Sequence, residues 1–412
     1  MKKTALVICL LALLLTGCAC AEDRLTVVLA TDMHYLSPSL TDGGEGFMDI
    51  VYAADGKVIH YSPQICRAFV RDMLRLKPDA VILSGDLTLN GAPESLREFA
   101  DMLEPLRAAG IRVLAMPGNH DVGGKAYAFR GSGVISFPAA TAEGFLQIYE
   151  GFGPADALSR DEGTLSYTAR LSDRVWALMV DVNTVAPQGT VRDDTFAWIE
   201  GQLQAARAAG ATVIGVSHQN LLPHNKYFTQ GVMISQARRL QALYRQYGVR
   251  LNLSGHTHMQ HIAADGDIVE IVTSSMALAP GYYGVITLDG GALDAYTAVP
   301  VDVSGWAAEA GETNADLLGF ADYTKAFYCE VVRRKAADGV ADLSADQDEK
   351  TRMLDFAVDL SYCDFSGTRS NVRDPEALAL WEKYQPYSAF TYYLKGAVSD
   401  GLKDMTRYSF AE

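Results

Sequence analysis

Between Leu25 and about residue 300, short runs rich in β-branched residues alternate with amphipathic helical stretches, and this alternation restricts the chain to an α/β architecture. Leu25 to Ala30, Ala80 to Leu83, Ile111 to Met116, Val175 to Val180, Thr212 to Val216, Val249 to Leu253 and Val269 to Thr273 read as buried strands. Ser62 to Leu76, Pro93 to Ala109 and Asp193 to Ala209 read as helices with one apolar face.

Five polar patterns stand where an apolar run ends. They are Asp32-Met33-His34, Gly85-Asp86, Gly118-Asn119-His120-Asp121, a lone His218, and Gly255-His256-Thr257-His258. Function in open α/β sheets collects beyond the carboxyl ends of the strands, so residues spread over more than 220 positions are expected on one rim. Core histidines have no reason to obey that rule. Two carboxylates, one amide and several imidazoles are the ligand inventory of a pair of borderline metal ions beside a spare histidine. With nitrogen and oxygen donors and no thiolate, the set suits two divalent transition-metal ions, Mn, Fe, Zn, Co or Ni, without choosing among them. Such a pair makes hydroxide and neutralises phosphate, which points to a hydrolase of phosphate esters.

In order and spacing these patterns resemble the calcineurin-like metallophosphoesterase superfamily, whose signature is D-x-H, G-D, G-N-H-[D/E], H and G-H-x-H. The resemblance covers roughly residues 25 to 300 and implies a metallophosphoesterase-type αββα sandwich. It implies that Asp32, His34 and His258 hold one metal, that Asn119, His218 and His256 hold the other, and that Asp86 bridges them. His120 is then the histidine that is not a ligand, and it protonates the leaving alkoxide or stabilises charge on it. Asp121 beside it either orients His120 or satisfies the turn. One departure stands out: many relatives carry an acid three residues after the bridging aspartate, where this chain has Leu89. The catalytic histidine must therefore find another acceptor or go without. Tyr35, His60, Asn220 and His224 lie near the motifs and read first as loop residues, second as substrate contacts, while His261 reads as structural or solvated.

Met1-Lys2-Lys3 and the apolar run from Ala5 to Leu15 have the form of a secretory signal. The run ends in Leu15-Thr16-Gly17-Cys18, which resembles a bacterial lipoprotein signal, so the expected product is extracytoplasmic and held to a membrane by lipid on Cys18. The expected organisation is a signal peptide over 1–17, a tether over 18–24, a catalytic domain over 25–300 and a helical accessory region over 301–412. Removing 1–17 deletes Lys2 and Lys3 and no acid, which moves the formal charge from −15 to −17. A surface this acidic argues against a nucleic-acid polymer as partner; the anionic substrate expected here is small and is drawn by local metal charge. None of the cysteines has metal-ligand spacing, and Cys329 and Cys363 are either a disulfide or two free thiols.

The segment from Gly43 to Tyr61 reads as a loop or small hairpin that shapes the substrate pocket. Beyond Pro300 the character turns helical: Asn314 to Ala337, then a helix opened by a capping-box pattern at Ser344 to Gln347, then one opened by Asp374-Pro375. Trp381, Phe390, Tyr392 and Tyr393 read as core anchors. Resemblance to the bacterial cyclic-nucleotide phosphodiesterase branch makes small phosphodiesters the leading substrate. The alternatives are a phosphomonoesterase acting on nucleotides and a non-catalytic surface-binding lipoprotein.

Overall fold

The computed structural model describes residues 24–410. The signal, Cys18 and Cys20 lie outside the described residues. One sheet has six strands: β1 (Arg24–Ala30), β2 (Ala80–Leu83), β3 (Arg112–Ala115), β13 (Tyr282–Asp289), β14 (Ala292–Pro300) and β15 (Arg407–Ser409), in the order β15-β14-β13-β1-β2-β3. The hairpin of β4 (Lys125–Arg130) and β5 (Gly133–Pro138) stands apart from both large sheets. The other large sheet has seven strands: β6 (Ser159–Arg160), β7 (Tyr167–Ser172), β8 (Val175–Val180), β9 (Thr212–Ser217), β10 (Leu251–Ser254), β11 (His261–Asp265) and β12 (Ile268–Val272). Their order is β11-β12-β10-β9-β8-β7-β6. In the first sheet β1, β2 and β3 run parallel. In the second, β8, β9, β10 and β12 do.

Side chains alternate across a strand, and here both faces are buried. Val27, Leu29, Ile82 and Leu114 meet Met179, Ile214, Leu253 and Ile271 in the core between the sheets. Val28, Ala30, Val81 and Leu83 face the other way, onto Phe69, Leu96 and Leu103 of helices Ser62–Leu76 and Pro93–Ala108. On the far side Leu178, Val180 and Val213 pack on Phe196, Ile199 and Leu240 of helices Asp193–Ala209 and Ala237–Tyr247. This is an αββα sandwich. The near-continuous apolar runs follow directly: a strand covered on both faces has no solvent side on which to alternate. Each fully buried side chain of this size contributes roughly 1.5–3 kcal/mol, so the parallel strands that end at the polar motifs are the most firmly held part of the chain.

Several local expectations need correction. Residues 43–61 form neither a hairpin nor an irregular loop but helix Glu45–Ala53 and a 3-10 turn at Ile59–Tyr61, because Phe47 and Val51 give the segment a buried helical face. The first tail helix breaks at Gly319 into Ala315–Leu318 and Phe320–Val340. The capping box belongs to Asp346 and Glu349, two residues beyond Ser344. Asp374 does stand at the N-cap with proline after it, but of a 3-10 turn (Pro375–Ala377) that precedes helix Leu378–Tyr384; it lies in the left-handed region, and its carboxylate takes the Arg352 guanidinium and caps no amide. Finally, the chain returns to the six-stranded sheet, since β15 pairs antiparallel with β14.

The tail has its own small core of Met353, Phe356, Leu360, Trp381 and Leu394, with Phe390 and Tyr393 packed against it. Its earlier helices instead join the main core, where Leu317, Phe320, Phe327 and Val331 pack with Phe69 and Val58. Cys66, Cys329 and Cys363 are free thiols.

Candidate metal centre

β1, β2 and β3 of one sheet and β9 and β10 of the other end at the same rim, and each delivers its motif in the turn that follows. The loops after β1 and β2 are tied together by the Asp32 N–H donating to the Gly85 carbonyl (3.0 Å) and the His34 N–H to the Asp86 carbonyl (3.1 Å). Among the described residues eight that are not glycine have left-handed backbone, and five of them are Asp32 (φ 52°), His34 (φ 45°), Asp86 (φ 49°), His256 (φ 69°) and His258 (φ 61°). Such conformations cost of order 1–3 kcal/mol each and persist where surrounding structure imposes them, so their concentration here marks a site built for something other than stability. The glycines serve close approach. A Cβ on Gly118 would overlap the Asp86 amide and carboxylate, and one on Gly255 would overlap Thr31 and the Asp32 carboxylate.

Two donor groups result. Asp32, His34, Asp86 and His258 each aim one ligand atom into a space where all lie within 4.8 Å of one another, and so do Asp86, His218 and His256. Asp86 belongs to both. In the first group His34 Nε2 and His258 Nε2 face each other at 3.1 Å, with Asp32 Oδ1 3.2 Å from His258 Nε2. That oxygen is buried and has no hydrogen-bond donor, an arrangement that suits a cation. In the second, His218 Nε2 lies 3.3 Å from Asp86 Oδ2 and 3.0 Å from Asn119 Oδ1. His218 Nδ1 bonds the Ser84 carbonyl (3.1 Å), which leaves Nε2 as its ligand atom. His256 does the reverse: its Nε2 bonds the Gly231 carbonyl (3.0 Å), leaving Nδ1. Carbonyl partners of this kind fix the ring and its tautomer. The donors present therefore fit two borderline dications sharing one carboxylate.

The electrostatics agree. Burial pushes the His218 imidazole down, but the Asp86 carboxylate beside it wins and raises it to about 9. Burial likewise pushes Asp86 up, and His218 reverses this and holds it well below the ordinary carboxylate range. Positive charge is thus demanded between these groups. Burial lowers His34, His256 (to about 4) and His258, which keeps them neutral, the form that ligates a metal.

His120 is set apart from the donor groups. Its Nδ1 donates to the Leu89 carbonyl at 2.8 Å, its side chain is 40% exposed, and Nε2 stands 4.0 Å from Asp86 Oδ2. The acceptor missing from the sequence pattern at position 89 is thus supplied by the backbone of that same residue. Asp121 does not reach the His120 ring. Its buried carboxylate accepts from the Leu87, Thr88 and Gly118 amides and the Thr88 hydroxyl, which holds the two turns together. Burial, with Asp86 adding to it, pushes its pKa up to about 6.

Of the neighbouring polar residues, Tyr35 donates to Glu98 and Asn220 holds the last motif by donating to Ser254 Oγ and the Gly255 carbonyl. His224 and His261 form a buried pair, 2.7 Å apart at their Nδ1 atoms, that continues to Glu270 and Asp400. His60 contacts Tyr323 of the tail. The groups a sequence reading misses are mainly carbonyls, those of Ser84, Leu89 and Gly231, which carry no side-chain signature. Ser275, whose hydroxyl donates to the Asp32 carbonyl, gave no sequence signal either.

Residues 25–260 match the calcineurin-like phosphoesterase family, and residues 302–404 match the C-terminal domain of cyclic nucleotide phosphodiesterase. The chain belongs to the calcineurin-like phosphoesterase family. It is 28% identical over 188 residues to the glycerophosphodiester phosphodiesterase GpdQ of Enterobacter lignolyticus (strain SCF1), an alignment covering 45% of this chain and 58% of that protein. The chain thus spans little more than half the length of this relative. Among solved structures, a dimetal phosphatase from Danio rerio is 13% identical with a TM-score of 0.48, covering 67% of this chain and 95% of that one. The Plasmodium inner-membrane-complex anchor GAP50 is 11% identical with a TM-score of 0.40, covering 68% and 85%.

Proposed function

We propose that this chain is a metal-dependent phosphoester hydrolase that cleaves small phosphodiesters, with cyclic nucleotides as the leading class. The observation that carries the reading is the pair of donor groups sharing Asp86 on one rim, on backbone held in strained left-handed conformations. Two dications, when bound there, supply hydroxide near neutral pH and neutralise the charge of the phosphate. The chain supplies the rest. His120 offers Nε2 to the leaving oxygen while Nδ1 stays committed to the Leu89 carbonyl, so a proton carried at Nε2 is delivered in one direction.

A cavity of about 370 Å³ opens at His120 and Asn119 and is lined by Ile50, Leu89, Lys125, Tyr127 and Phe129. Its volume and aromatic walls suit a leaving group the size of a nucleoside. A larger cavity of about 890 Å³ among the tail helices contains none of the donor residues. Diester preference is supported by the match of residues 302–404 to a cyclic nucleotide phosphodiesterase domain and by the diesterase named above.

The test is hydrolysis of bis-p-nitrophenyl phosphate against p-nitrophenyl phosphate by protein reconstituted with each candidate metal, followed by a panel of cyclic nucleotides. Faster turnover of the monoester refutes the diesterase reading, and turnover of neither by protein carrying two metals refutes the enzyme reading in favour of a binding lipoprotein. An extracytoplasmic, lipid-tethered location is part of the same proposal and rests on Leu15 to Cys18. Membrane fractionation after Cys18→Ser checks it; undiminished membrane association sinks it.

A further inference from the structure

Lys57 lies in the segment between helix Glu45–Ala53 and the turn at Ile59–Tyr61, and only 8% of its surface is exposed. Its ammonium has no hydrogen-bond or ion-pair partner among the described residues. The nearest acid in sequence, Asp55, is taken by Lys335 of helix Phe320–Val340. The stem is enclosed while the charged tip keeps access to solvent, and so to an incoming anion.

The backbone carries Lys57 to the metal centre. The N–H of the adjacent Val58 donates to the Ala277 carbonyl (2.8 Å), and the Ala277 N–H donates to the Ser275 hydroxyl (3.2 Å). That hydroxyl donates to the Asp32 carbonyl (2.8 Å), while the Ser275 N–H donates to the His258 carbonyl (3.1 Å). Asp32 and His258 are thus each joined to Val58 through three successive hydrogen bonds. Burial is the largest influence on the Lys57 ammonium and lowers it, opposed by Asp55 and then by Asp32 and Asp86, so its charge sits in the field of the two metal-site carboxylates. Those two carboxylates would be taken up by the dications when these are bound, so they would not serve as the lasting partner of Lys57.

The tail clamps this segment from outside. Tyr52 packs on Phe327 (ring centroids 5.6 Å apart), Gly56 lies against the Tyr328 ring, His60 Nε2 bonds the Tyr323 hydroxyl (2.8 Å), and Tyr61 donates to Asp316 (2.8 Å). A β-carbon at position 56 would press to 2.7 Å of the Tyr328 ring, so only glycine lets the helix seat this closely.

The geometry points to Lys57 as a further catalytic residue, whose ammonium, held over the metal centre by helix Phe320–Val340, binds a non-bridging oxygen of the substrate phosphoryl group. An ammonium is a compact charge with three donors, suited to a phosphate oxygen that gains charge during displacement. Fixed before substrate arrives, it needs no reorganisation as that charge develops. Occupancy by the anion also supplies the partner that the ammonium lacks.

The proposal rests on the phosphoesterase reading, and its test separates the two. Full-length wild type, Lys57→Met and Lys57→Arg are loaded with Mn²⁺, their metal content is measured, and inorganic phosphate is titrated in by calorimetry. Lys57→Met is expected to keep both metals, to melt no lower than wild type, and to bind phosphate at least about tenfold more weakly, with Lys57→Arg recovering part of the loss. kcat/KM for bis-p-nitrophenyl phosphate falls in parallel. Phosphate affinity within about twofold of wild type with both metals present overturns the proposal. Loss of metal from Lys57→Met overturns it too, since Lys57 then supports the ligands and not the anion. Should Lys57→Met fail to fold, Lys57→Gln takes its place under the same criteria. Wild type that binds metals but turns over no phosphoester sinks the enzyme reading, whereas active wild type with an unaltered Lys57 variant sinks only the role of Lys57.

Discussion

Removing the His120 imidazole should cost more the worse the leaving group, because the ring is placed to deliver a proton and does not hold a metal. Its Nδ1–H is committed to the Leu89 carbonyl at 2.8 Å, and Leu89 is itself fixed by its N–H donating to the Tyr35 carbonyl (3.0 Å). Nε2 is therefore the atom that meets the substrate. General-acid catalysis contributes about 10²–10⁴-fold, or roughly 3–5 kcal/mol of barrier. That amount is needed only where the departing oxygen is a strongly basic alkoxide. His120→Ala should lower kcat about 10²–10⁴-fold on a cyclic nucleotide or alkyl diester and less than about tenfold on bis-p-nitrophenyl phosphate, whose nitrophenolate leaves unprotonated. Steady-state kinetics on the two substrates, with metal content measured in parallel, gives the comparison. Leu89→Ala is the control: it keeps the carbonyl, so kcat should change little. Equal losses on both substrates for His120→Ala, or a loss in Leu89→Ala as large as in His120→Ala, would refute proton delivery through a carbonyl-anchored ring.

Asp86→Asn removes the only carboxylate common to both donor groups and should leave the protein with fewer than two metals and no turnover; elemental analysis showing full metal content would count against a shared ligand. Gly255→Ala places a methyl group against Thr31 and the Asp32 carboxylate, and should lower the melting temperature by several degrees and weaken metal retention; an unchanged melt and metal content would show that the turn adapts. Acid should loosen the joint between tail and catalytic layer. Burial, outweighing the Asp400 contact, lowers His261 from the ordinary 6.5 to about 4, so the unfolded chain takes up a proton in that window and the folded one does not. Stability from this group is complete above pH 6.5 and is lost as pH falls toward 4, by about 3 kcal/mol. Urea titrations at pH 7 and pH 4.5 on wild type and His261→Phe should show a smaller pH dependence in the variant, and equal dependence would remove His261 as its source.

The side chains that cluster at the rim and the strands that carry them were legible without coordinates, because both obey local rules. A strand buried on both faces must be apolar throughout, and a glycine must precede a donor wherever two turns meet too closely for a β-carbon, as at Gly118 and Gly255. Local rules failed where partners are distant. Residues 43–61 read as a loop because nothing nearby explains Phe47 and Val51, whose burial is provided by residues from elsewhere in the main core, such as Phe129 and Phe327. A carboxylate at 121 next to a histidine is compatible with two roles in sequence, and only the opposing amides of Leu87 and Thr88 showed which donors it satisfies.

By itself, then, the sequence determined the layered class of the fold and which side chains gather at its rim, since periodicity and glycine placement are short-range consequences of backbone sterics. Tertiary structure decided the ring nitrogen that His218 and His256 present, the carbonyl that anchors His120, and the unpartnered ammonium of Lys57 beneath the tail. These depend on where carbonyls and helices from remote parts of the chain arrive, and a backbone carbonyl is the same atom whatever residue bears it.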